Sequence, residues 1–122
     1  MKNNREWKRE FSEKLLKFGV RVIKLVNKFP KTPAGFAIAS QLIRSATSIG
    51  ANFLEAQDAS SRKDFTQKLS IALREAKETL YWLRIVKMTE LIPEDLLEKE
   101  IEEINEIVAI LVSSVKSSKR KI

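Results

Sequence analysis

Seven apolar residues in the first thirty, Trp7, Phe11, Leu15, Phe18, Val22, Leu25 and Phe29, step by four, four, three, four, three and four. That spacing keeps them on one face of an α-helix and scatters them over both faces of a strand. The pattern then recurs. Ile38, Leu42, Ile49 and Phe53 mark a second helix; Phe65, Leu69, Ala72, Ala76, Leu80 and Leu83 a third; Leu97, Ile101, Ile104, Val108, Leu111 and Val115 a fourth. Only 3 Gly and 3 Pro interrupt 122 residues, so long helices are favoured over many short strands.

The breaks fall between the stripes. Pro30 biases Phe29 away from helical angles, and Pro33 extends the interruption. Gly50 lowers helix propensity locally and permits a kink in the second helix. Ser60 or Ser61 is placed to cap the third, with Asp64 near its N-terminal dipole, and Trp82, Ile85 and Met88 widen its apolar surface. Pro93 suits the first turn of the fourth, followed by Glu94 and Asp95. The expected helices cover 5–29, 34–58, 61–90 and 93–116, with a basic tail at 117–122 that frays. One domain spans 1–122: an all-α, antiparallel, up-down-up-down four-helix bundle.

No His and no Cys are present, which removes disulfides, thiolate nucleophiles, the usual zinc sites and the commonest general base. Neither a glycine-rich phosphate loop nor a Ser-nucleophile motif occurs, and no cofactor or metal is expected. Glu98, Glu102, Glu103 and Glu106 lie outside the fourth stripe and read as a solvated face; the Glu-x-x-His motifs of a di-metal bundle are missing. The chain is expected not to be an enzyme. No apolar run resembles a signal peptide or a membrane span, so a cytoplasmic location and no membrane partner are expected.

Net charge is +7, unevenly distributed. Residues 1–33 carry ten cations against three acids, 91–112 one against seven, and 113–122 four against none. On the first helix Lys14, Lys17, Arg21, Lys24 and Lys28 step by three, four, three and four, and Lys31 extends the band. Such a band is either a solvated face or a phosphate-binding one, the second favoured by the scarcity of interleaved acid. Leu16, Val20 and Ile23 form a further apolar row on the same helix. With Trp82 and Ile85 they mark a subunit contact or a broad core-facing arc. Gln41, Arg44, Ser48, Asn52 and Glu55 form a polar stripe on the second helix, among small residues that allow close packing. Arg44 is expected to pair with Glu75 or Glu78 in a register-fixing network rather than to line a ligand site.

Phe29-Pro30, the run from Gln41 to Asn52, Glu55, Asp64-Phe65, Leu69 to Ala72 and Glu75 to Thr79 together resemble a known family. It is the small four-helix-bundle family first recognised as proteins encoded by intervening sequences within large-subunit ribosomal RNA genes. The resemblance spans most of the chain; Phe53-Leu54-Glu55-Ala56 departs from the family's Ile-Ala-Glu-Gly pattern at its glycine. It implies a left-handed bundle assembling into homo-oligomers, typically pentameric rings. A related branch, the accessory proteins of diversity-generating retroelements, forms a basic pentameric barrel that binds nucleic acid and a reverse transcriptase. A homo-oligomeric binding protein that contacts RNA or DNA is therefore expected, with an acidic protein as the alternative partner.

Overall fold

Asn3 starts the first helix by accepting the Glu6 N–H at 2.8 Å, which satisfies one of the amides a helix leaves open at its beginning. In the computed structural model, which describes residues 2–122, α1 runs Asn4–Val26, α2 Pro33–Gln57, α3 Arg62–Met88 and α4 Glu98–Lys119. A short 3-10 turn, Glu94–Leu96, precedes α4. Among the described residues there is no strand.

The boundaries differ from the spacing-based ones for local reasons. α1 stops three residues before Phe29, because the Lys28 and Phe29 amides bond to Leu25 and Val26 at three-residue spacing and tighten the last turn. Phe29 is still buried beyond the helix end. Thr32 caps α2 by accepting the Gly35 N–H at 3.1 Å. A Cβ at Gly35 would run into the Pro30 carbonyl oxygen, so the hairpin between α1 and α2 closes over a glycine. α2 continues without a break through Gly50.

Ser61 caps α3, accepting the Asp64 N–H at 3.0 Å while the Asp64 carboxylate accepts the Ser60 N–H at 3.2 Å. At the other end Leu91 N–H donates to Val86 O and Glu90 N–H to Lys87 O, with Glu90 at φ 54°. This is a Schellman closure with glutamate where glycine is usual. Pro93 opens the 3-10 turn rather than α4. The Leu96 and Leu97 amides bond back to Pro93 and Glu94, and the buried Leu97 anchors the chain before Glu98 begins the α-helix.

The contacts of α1 with α2 run in opposite chain senses. Trp7 meets Phe53, Gly50 faces Leu15, and Gly19 faces Thr47 across α1 and α2. Ser45 meets Thr79 across α2 and α3, and Thr66 meets Ser118 across α3 and α4. Phe18, Val22, Leu42, Ala46, Ile49, Phe53, Leu69, Leu83, Ile104, Ile107 and Leu111 fill the core. Each fully buried Leu, Ile or Phe stabilises the fold by about 1.5–3 kcal/mol relative to exposure. Trp7, the outermost residue of the first stripe, is partly exposed and stacks on Phe11 at 5.3 Å between centroids.

Candidate functional site

Three faces surround the core stripe of α1, since each residue advances the side-chain direction by a fixed angle. The face turned to α4 carries Lys14 and Arg21. Lys14 Nζ lies 3.1 Å from Glu106, and Arg21 Nε lies 3.4 Å from Glu100, with Glu103 paired to the same guanidinium. These are ion pairs by proximity; among the described residues Arg21 Nε and Nη2 have no aligned hydrogen-bond partner. The continuous cationic band expected from the spacing is thus divided. Lys17 and Lys24 point to solvent from α1, whereas Lys28 and Lys31 lie beyond its last residue, Val26, so the helical spacing does not extend to them; all four are exposed, and none has an ion-pair partner among the described residues.

The acids of α4 are correspondingly not all solvated. Glu100, which the apolar stripe did not single out, is buried at 7% exposure, and the Glu103 side chain retains only 14%. Glu98 and Glu102 are exposed. Among the described residues no group of three or more acids stands in an arrangement that would hold a metal ion.

The remaining face of α1 is apolar. Leu16, Val20 and Ile23 are 60%, 43% and 41% exposed, and with Leu54 of α2 they border a groove of about 460 Å³ floored by Gly19 and Gly50. Thr47 lies 3.6 Å from a Cβ built on Gly19, and Leu15 lies 3.4 Å from one on Gly50. The two helices therefore approach closely beneath the groove. On α3, Trp82 and Ile85 are half-buried, beside exposed Tyr81 and Met88.

The polar stripe of α2 resolves into two parts. Arg44 Nη1 lies 3.2 Å from Glu75, Nη2 pairs with Glu78 and donates to Gln41 at 3.3 Å, and Trp82 Nε1 donates to Glu78 at 3.0 Å. Ser48 and Asn52 instead donate one turn back, to the carbonyls of Arg44 and Ser48, and the exposed Glu55 side chain makes no hydrogen bond among the described residues. The reason is reach: a short side chain on a helix finds its own i−4 carbonyl before it finds a neighbouring helix. Ser45 and Thr79, which the sequence marks only as small or polar, are fully buried with their hydroxyls 2.9 Å apart.

An all-α bundle with its charged and apolar groups segregated onto separate helix faces is the class these features define. The chain belongs to the 23S rRNA-intervening sequence protein family, whose model matches residues 8–113. It is similar to a protein of unknown function from the S23 ribosomal protein family of Bacteroides thetaiotaomicron VPI-5482, known from a crystal structure at 1.70 Å. The two share 40% identity and superpose with a TM-score of 0.82, over 89% of this chain and 97% of that one. No curated protein matches the chain. Among the described residues no helix is long and apolar enough to cross a membrane.

Proposed function

We propose that this chain is a non-enzymatic, homo-oligomeric binding protein of the cytoplasm that contacts RNA or DNA through α1. The observation that carries the reading is the row of exposed cations Lys17, Lys24, Lys28 and Lys31, without ion-pair partners among the described residues. Lys14 and Arg21 are engaged by α4 and belong to the fold. Two exposed ammonium groups on α1, Lys17 and Lys24, followed by two more just beyond its end, Lys28 and Lys31, suit a phosphate backbone, with affinity arising from counterion release and little sequence preference. A ring of subunits, pentameric as the family resemblance implies, would repeat the row around its rim and multiply the field.

A protein partner is the second reading, and one observation favours it. The flank of α1 already receives an acidic helix, as Glu100, Glu103 and Glu106 of α4 seat Arg21 and Lys14. An acidic helix from another protein would find comparable chemistry at Lys17 and Lys24.

Titration with mixed RNA and DNA at two salt concentrations separates the two. In the first reading Lys17→Gln/Lys24→Gln/Lys28→Gln weakens every nucleic acid alike and lowers the log–log salt slope by about one per lost phosphate contact, with helicity unchanged. Absence of binding at low salt, or binding indifferent to the triple substitution, transfers the row to the acidic-protein reading.

A further inference from the structure

Away from the α1 row, the N-terminal turns of α1 and α3 and the last turns of α4 border a cavity of about 280 Å³ at one end of the bundle. Among the described residues its wall contains Lys8, Arg62 and Lys121 and no Asp or Glu. Lys8 Nζ and Arg62 Cζ each sit 5.1 Å from the centroid of the same ring, Phe65, so two like charges share one aromatic platform. Cation–π attraction offsets part of their repulsion, but no carboxylate neutralises it. The acids nearest in sequence are engaged elsewhere: Glu6 with Asn3, Glu10 with Lys2, and Asp64 with the Ser60 amide.

The rest of the wall supplies hydrogen bonding. Ser113 and Ser117 of α4 border the cavity with hydroxyls that make no hydrogen bond among the described residues, whereas Ser118 is satisfied by Thr66. The dipoles of α1 and α3 are positive at this end and that of α4 is negative, so the balance rests with the side chains. Trp7 adds a partly exposed indole to the same wall. Three cations, free hydroxyls and an aromatic surface make a receptor for an anion attached to a flat ring.

We propose that this cavity binds a phosphomonoester of nucleotide size, its phosphate held by Lys8, Arg62 and Lys121 and the hydroxyls of Ser113 and Ser117. A free nucleotide and the phosphorylated 5′ end of a nucleic-acid strand present the same chemistry. The site is independent of the α1 row.

The test is calorimetric titration of the full chain with adenosine 5′-monophosphate, adenosine, and a tetranucleotide with and without a 5′-phosphate, with Trp7 emission followed in parallel. Either phosphorylated ligand is expected to bind at least tenfold more tightly than its unphosphorylated counterpart. Binding of the monophosphate assigns a free nucleotide; binding of the phosphorylated tetranucleotide alone assigns a strand end. Lys8→Gln/Arg62→Gln is expected to abolish the difference, and Lys8→Arg/Arg62→Lys to retain it, since the conservative pair keeps the charge and the contact with Phe65. Lys17→Gln/Lys24→Gln/Lys28→Gln is expected to leave it unchanged, so failure of the α1 reading and failure of this one are told apart. Equal affinity with and without phosphate, no binding of either phosphorylated ligand, or an undiminished difference in a folded Lys8→Gln/Arg62→Gln protein overturns the proposal.

Discussion

Glu90 stands alone among the described residues as a side chain other than glycine held at positive φ, where its Cβ crowds the backbone. The Schellman closure of α3 requires that conformation, and the residue type gives no sign of it: the spacing places a break near Glu90 but suggests no left-handed turn. Glu90→Gly is therefore expected to raise stability by about 0.5–1 kcal/mol, the relief of crowding exceeding the extra freedom of the unfolded chain. Thermal melting followed by circular dichroism checks this, and a lowered melting temperature would contradict it. Glu100 escaped notice for a different reason. It stands at three-and-four spacing between Leu97 and Ile104 on the buried face of α4, where a carboxylate reads as solvated until its cationic partner is known, and periodicity within one helix contains no information about Arg21 on another. The cations at the bundle end were missed likewise, because Lys8, Arg62 and Lys121 are far apart in sequence and meet only through the fold.

At the level of the helix, existence and inward face were legible from the three-and-four spacing, because burying one stripe is the dominant stabilising term. The ends were not, since caps and tight last turns depend on individual side-chain oxygens and on the next element. Between α2 and α3 the anticipated pairing of Arg44 with Glu75 and Glu78 is present in the geometry, and its energetic role is open to measurement. Arg44→Ala is expected to destabilise by about 1–3 kcal/mol, because the largely buried Glu75 loses its partner. Arg44→Met is expected to be milder, retaining the packing of the stem. Adding Glu75→Gln to Arg44→Met should recover part of the loss, giving a coupling energy of about 0.5–2 kcal/mol in a double-mutant cycle. Strict additivity would remove Arg44 from any structural network.

For the whole molecule, the exposed row of Leu16, Val20 and Ile23 beside Leu54 is the feature that bears most directly on assembly. Covering it removes apolar surface from water without disturbing the core, and a second copy of the chain is the proposed cover. Light scattering at tens of micromolar, a range where contacts of roughly −6 to −8 kcal/mol are populated, is expected to report a multimer. Leu16→Lys/Ile23→Lys should reduce the mass to that of one chain with helicity retained. A monomeric wild-type protein would end this reading. The order in which the helices meet has a kinetic consequence. α1 packs on α2, α2 on α3 and α3 on α4, whereas the backbones of α1 and α4 stand further apart, bridged by the ion pairs of Lys14 and Arg21. Tertiary packing thus chiefly joins helices consecutive in the chain, and a topology rich in such local contacts is expected to fold fast. The seam between α1 and α4, which joins Lys14 to Glu106 and Arg21 to Glu100, closes far longer loops than the hairpins do, so its charges are expected to meet after the hairpins have formed, and its loss is expected to speed unfolding more than it slows folding.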